Sequence, residues 1–248
     1  MRIGLFAIRN TKEVLRDPAN FLFGLGFPLI LLALLSVINT SIPPEANNPM
    51  FEIANLAPGL AMFGSVFMAL FAGMLLAKDR ASSFLMRLFT SPMSAVDFLL
   101  GYTAPMLAMA AAQAAITIIA ACLFGLPVTA NILLAIPLTA LVSLLFIGIG
   151  LLCGSLMSDK AVGGICGALL TNVAGWLSGV FIPIDLIGGG FKALTRVLPF
   201  YHGVEAIKQA LAGDYVAILP HIGIVLAYAV AIYLLTIFAF RGKMNGDK

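Results

Sequence analysis

Six long apolar runs, each free of charged side chains, are separated by short polar connections along the chain: about 21–38, 53–77, 98–124, 132–157, 161–182 and 216–240. A hydrocarbon layer roughly 30 Å thick is crossed by about 20 apolar helical residues. Each run is long enough, and none shows the strict alternation of a half-buried strand. The pattern predicts six transmembrane helices. The first run is followed by Asn39-Thr40-Ser41 with no small-x-small cleavage site, so it is expected to remain as a span and not to be removed as a signal peptide.

The connections carry a second pattern. Residues 1–18 mix Arg2, Arg9, Lys12 and Arg16 with Ile3, Phe6, Val14 and Leu15 and stop at Asp17-Pro18. This predicts a basic amphipathic helix lying on the membrane surface. Eleven Lys and Arg residues fall on the side of the N-terminus and only three, Lys192, Arg196 and Lys208, on the other. The positive-inside rule therefore places both termini in the cytoplasm. Residues 39–52 carry Glu45 and Glu52 without a base, in keeping with an outside loop. Two connections exceed a turn. Residues 78–97 read KDRASSFLMRLFTSPMSAVD on the inside, and residues 183–215 lie outside. The outside segment spaces Phe191, Leu194 and Leu198, then Val204, Ile207 and Leu211, at helical intervals around Pro199, which predicts two short amphipathic helices.

Composition agrees with this reading. Of 248 residues, 61% are hydrophobic and 10% charged, and the mean hydropathy is +1.07; almost nothing is left for a water-soluble domain. The net charge of +3 is spread over several connections, which argues against a nucleic-acid partner. Cys122, Cys153 and Cys166 lie in apolar runs without C-x-x-C spacing and read as inert buried thiols, with neither a disulfide nor a zinc site. Glycines four apart, at 150 and 154, 163 and 167, and 175 and 179, predict close helix contacts, within the chain or between subunits. Gly188-Gly189-Gly190 lacks the following Lys-Ser/Thr of a phosphate loop and reads as a turn.

Catalytic and ion-coupling chemistry find little support. No acid or base falls at mid-depth in the six runs, where an ion-coupled carrier keeps its coupling charges. His202 and His221 are separate, with no H-E-x-x-H, and read as interface residues. The polar residues inside the runs are densest in the fifth, where Thr171, Asn172, Trp176 and Ser178 form a cluster that can bond neighbouring helices or line a path for an amphipathic substrate.

The topology together with the inside loop resembles the export permeases of the type-two ABC transporter family, which move drugs, polysaccharides and lipids. The resemblance covers essentially the whole chain. That family's loop reads like E-R-E-x-G-T-L-E-x-L-L-x-T-P-L-S; here Asp79-Arg80, Leu85, Arg87-Leu88, Ser91-Pro92 and Met93-Ser94 match, while Ser83-Phe84 and Met86 replace Gly-Thr and Glu. The resemblance implies an all-α permease with a cytoplasmic coupling helix that docks on a separate ATP-binding cassette ATPase. Arg80, Phe84, Leu85, Arg87, Leu88, Phe89 and Pro92 are then the docking residues: apolar anchors flanked by arginines. It also implies a second permease, identical or related, membrane lipids around both, and a bacterial or archaeal plasma membrane. The chain has no G-x-x-x-x-G-K-[ST] of its own, so ATP and magnesium are expected in the partner. Competing expectations are a membrane scaffold or immunity-type protein that forms no path and, less well supported, an ion-coupled carrier.

Overall fold

The computed structural model describes residues 2–43, 51–82, 84–88, 93–182 and 184–246. They form helices α1 (Arg2–Arg16), α2 (Pro18–Ser41), α3 (Ile53–Ala81), α4 (Phe84–Leu88), α5 (Ala95–Leu123), α6 (Ile132–Leu156), α7 (Asp159–Leu177), α8 (Ile184–Ile187), α9 (Gly189–Val197), α10 (Pro199–Ala212) and α11 (Tyr215–Gly246). Among the described residues there is no strand, and six helices, α2, α3, α5, α6, α7 and α11, are long and apolar enough to cross a membrane. The protein is an all-α membrane protein. The segment 183–215 holds three helices where two were expected, the extra one being the single turn α8.

Local signals set the helix ends. Asp17 accepts from Ala19 N (3.0 Å) and Pro18 opens α2 with a φ already suited to a first turn. At α5 the Ser94 hydroxyl accepts from Asp97 N while the Asp97 carboxylate accepts from Ser94 N (2.8 Å), a reciprocal cap. The end of α3 departs from expectation. The apolar run stops at residue 77, yet the helix continues through Lys78, Asp79 and Arg80 to Ala81. Charge ends a hydropathy run; it does not end a helix.

Helix α3 is the centre of the bundle. Its membrane-crossing stretch is 89% buried, against 22% in α2, α7 and α11, and α6, α5, α2, α7 and α10 pack around it. Its sequence permits this, because Gly59, Gly64, Gly73 and several alanines leave room for neighbours. The tightest approach is to α6. A Cβ on Gly150 would stand 2.0 Å from the Ala69 carbonyl oxygen, and one on Gly154 would stand 2.5 Å from that of Gly73. The first of the glycine pairs thus works within the chain. In the second, Gly163 and Gly167 lie in a π-helical stretch, Gly163–Leu169; a Cβ at Gly167 would meet Leu70 of α3 at 3.4 Å, whereas one at Gly163 would meet nothing of this chain within 4 Å. Gly179 is in a left-handed turn beyond α7, at φ +83°.

This contact yields a test. Gly150→Val puts side-chain atoms into the α3 backbone, and overpacking without room to adjust costs about 2–3 kcal/mol. It is expected to lower the melting temperature and the monodisperse yield of the purified protein. Gly163→Ala, with open space around it, should leave both near wild type.

Candidate functional site

The predicted docking segment sits at the end of the bundle that carries α1. Its residues divide into three groups. Phe84 and Leu88, in α4, are half-buried against the aromatic core formed by α1, α3 and α5. Leu85 and Arg80 are engaged within the chain itself. Leu85 is 1% exposed and belongs to that core. The Arg80 guanidinium donates to the carbonyls of Gly154 (3.0 Å), Ser155 and Met157 (3.3 Å). These are orphan acceptors at the C-terminal end of α6, where the helix dipole also favours a cation. Arg87 lies in α4, and Phe89 and Pro92 lie outside the described residues.

Beside α4 the structure assembles a polar junction that the sequence pattern did not single out. Arg9 of α1 grips Asp79 of α3 with both terminal nitrogens, at 2.5 and 2.8 Å. Tyr102 of α5 donates its hydroxyl to the same carboxylate at 2.8 Å. Asp79 is 5% exposed, so its charge is out of water, and three donors satisfy it, two N–H groups of the one Arg9 guanidinium and the Tyr102 hydroxyl. Partial burial works against the Arg9 charge, but hydrogen bonding and attraction to Asp79 outweigh it and raise the Arg9 pKa above its usual value. The guanidinium also lies 4.4 Å from the centre of the Phe84 ring, a cation–π contact that ties α4 to the junction.

The same helix is clamped a second way. Asn10, buried next to Arg9, donates to the Gly101 carbonyl at 3.0 Å. Phe6 fills the notch left by Gly101 and meets Phe98 and Tyr102 edge-on at 5.6 and 5.0 Å. One face of α1 is therefore docked on α5, while Leu5, Ile8 and Leu15 remain exposed on the other. The available signal in the sequence was an Asp two residues beyond an apolar run together with an arginine on the apolar side of a basic helix.

The polar cluster of the fifth span is only partly brought together. Asn172 and Trp176 share an outward face one turn apart, with Trp176 49% exposed and Asn172 donating to the Ala168 carbonyl of its own helix (2.8 Å). Thr171 is half-buried and donates to the Cys166 carbonyl at 3.2 Å. Ser178 departs from the expected cluster: α7 stops at Leu177, and the serine, 2% exposed, caps that end by bonding Gly175 O and Val180 N. Among the described residues no three His, Cys, Asp or Glu side chains gather as a metal site.

Five apolar crossings around a sixth, α3, with a short helix locked to one end by a polar junction, are the architecture of a multi-pass membrane protein. The chain belongs to the ABC-2 type transporter family, whose profile matches residues 2–212. It is similar to nodulation protein J of Rhizobium meliloti (strain 1021), 26% identical over 248 residues that cover 96% of this chain and 88% of that protein. It is also similar to nodulation protein J of Rhizobium leguminosarum bv. viciae, 25% identical over 114 residues, or 46% of this chain and 44% of that one. The protein is accordingly an ABC transporter permease, a transport subunit whose ATPase activity lies in a separate chain.

The junction predicts an asymmetry. Arg9→Ala leaves the Asp79 charge buried without its cation, and, discounted for the third of Arg9 that is exposed, the loss should be about 2–3 kcal/mol. Thermal unfolding in detergent is the measurement. Asp79→Asn, which removes the charge and keeps an acceptor for Tyr102, should cost less than Arg9→Ala.

Proposed function

We propose that this permease forms the membrane half of an exporter in which a soluble ATP-binding cassette ATPase docks at α4 and drives an amphipathic substrate outward. The observation that carries this is the mechanical placement of α4: a five-residue helix held to α3 by its short connection, to α1 through Arg9 and Phe84, and to the core through Leu85. Force applied to such a helix reaches α1 and the second and third spans together. Phe84 and Leu88, only half covered by the chain, remain as the apolar anchors for a partner. In this reading the α4 end is cytoplasmic, in line with the eleven-to-three distribution of basic residues, and the α9–α10 end faces out of a bacterial or archaeal cell.

Docking is tested by affinity capture of the ATPase. Truncating a central anchor usually costs about 2 kcal/mol or more, whereas a rim charge costs less and acts through salt dependence. Leu88→Asp should abolish capture with the permease still inserted and monodisperse, and Arg87→Ala should weaken it in a salt-sensitive way. A Leu88→Asp protein that still captures the ATPase and couples hydrolysis to transport refutes the assignment of α4 as the docking element.

The substrate path, in the same reading, runs between two permeases, identical or related, along the face of α7 that carries Asn172 and Trp176. A large aromatic and an amide on an exposed face of an otherwise apolar crossing helix suit a substrate with both apolar and polar parts better than lipid tails alone. Asn172→Ala and Trp176→Ala should change substrate range or transport-stimulated ATP hydrolysis more than folded yield. If transport is unchanged in both variants at normal expression, the face packs and does not conduct.

A further inference from the structure

At the end of the bundle opposite α4, two histidines meet. His202, in the first turn of α10, is 7% exposed, and its Nδ1 lies 2.7 Å from Nδ1 of His221 in the second turn of α11. The rings are 5.0 Å apart, and Tyr201 stands edge-on to both at 5.4 and 6.1 Å. On its other side His202 places Nε2 2.7 Å from the Arg196 carbonyl oxygen at the end of α9.

These contacts restrict where protons can be. A carbonyl only accepts, so His202 Nε2 carries a hydrogen. A neutral imidazole with hydrogen on Nε2 has a bare Nδ1, which accepts, so His221 donates from Nδ1. The His221 ring can then take one more proton, on Nε2, without disturbing any of these bonds, and the contact becomes charge-assisted. A second proton has one place to go, His202 Nδ1. That would aim two N–H groups and two positive charges at each other across the gap. Both rings sit near helix N-termini, whose dipoles oppose positive charge.

The charged and titratable surroundings do not remove this conflict. On α10 they are Tyr201, Glu205 and, a further turn on, Lys208; on α9, Lys192 and Arg196; and on α11, Tyr215 and Tyr228. Glu205 is the acid one turn from His202, and its carboxylate already accepts from Gln209 at 3.2 Å. Helix α6, packed on both α10 and α11, contains no Asp, Glu, Lys, Arg, His or Tyr, and α3 has Glu52 before its first turn and its other charges at the opposite end.

We propose that His202 and His221 form a one-proton latch between α10 and the last span: it stays closed while the pair holds at most one extra proton, and a second proton opens it. Opening loosens the packing of α10 on α11 at that end. In the proposed topology this end faces out of the cell, so external acid is the trigger, yet the latch is a property of the permease alone.

The test uses the full-length permease in nanodiscs. Melting temperature is followed from about pH 7.5 to about pH 4.5, a range that spans the ordinary histidine transition. His221→Asn keeps a donor near the Nδ1 position that cannot become charged. The wild type should lose about 2–4 °C more than His221→Asn over the range, and parallel profiles overturn the latch. Hydrogen exchange on the unmodified protein gives a reading that does not depend on a variant. Corrected for its intrinsic pH dependence, exchange in residues 199–212 should speed by about tenfold at the acid end relative to α3; unchanged relative exchange overturns the proposal. A Zn2+-dependent rise in melting temperature at neutral pH, present in the wild type and absent in His221→Asn, would make the pair a metal site and also overturn it.

Discussion

The contact between α3 and α6 is the constraint on which the rest of the bundle depends. In a bilayer no hydrophobic drive separates helix from lipid, so association rests on dispersion and polar contacts made at short range. Gly150 and Gly154 allow the α6 backbone to lie directly on the α3 carbonyls of Ala69 and Gly73. With α6 that close, α3 can be surrounded, and α5, α7 and α10 find places against it. Gly148, on another face of α6, receives the Tyr233 ring of α11, and Thr236 reaches the Gly148 carbonyl. The last span is thus placed by the same helix that places the second.

Burying α3 so completely creates an electrostatic problem at its end. Lys78, Asp79 and Arg80 continue a helix whose neighbours are packed tightly, and each finds a different solution. Lys78 is exposed, Arg80 caps α6, and Asp79 is enclosed and must be paired. The pairing adds to the hold that Phe6, Asn10 and Val14, all buried, give α1 on the bundle. A buried ion pair contributes little net stability over a well-packed apolar substitute, but it is demanding about position. Here that demand aligns α1, α3, α4 and α5 at one point, with Phe84 stacked on the arginine. A coupling element benefits from such definition, since a helix free to tilt would absorb an imposed motion before the spans moved.

The two ends of the bundle differ in how their polar groups are held. At the α4 end charges pair across helices. At the other end neutral groups dominate: Asn131 donates to Leu211 O and accepts from Tyr215, and Tyr228 donates to Val197 O. The histidine contact belongs to this second set, and it is the member whose state depends on pH within the range cells meet.

Crossing a membrane is a property of composition over about 20 consecutive residues, so the six spans, the all-α class and the family were legible along the chain. The positions of the short helices were partly legible from apolar spacing and from Pro199. Apolar anchors at Phe84, Leu85 and Leu88 were visible as residues, but which of them faces the interior was not, and Leu85 proved to be core. Helix α3 ran past the last apolar residue because backbone hydrogen bonding ignores side-chain charge, which hid Asp79 from a hydropathy reading. The sequence by itself determined how many helices are long and apolar enough to lie in lipid. Only the tertiary structure decided that Arg9 meets Asp79 across 70 residues, that Arg80 turns to α6, that Ser178 caps a helix, and that two histidines 19 residues apart share a hydrogen bond. The reason is physical: hydropathy and period are summed locally along one helix, whereas each of these contacts depends on the rotation and depth of two helices whose packing is settled by the bundle as a whole.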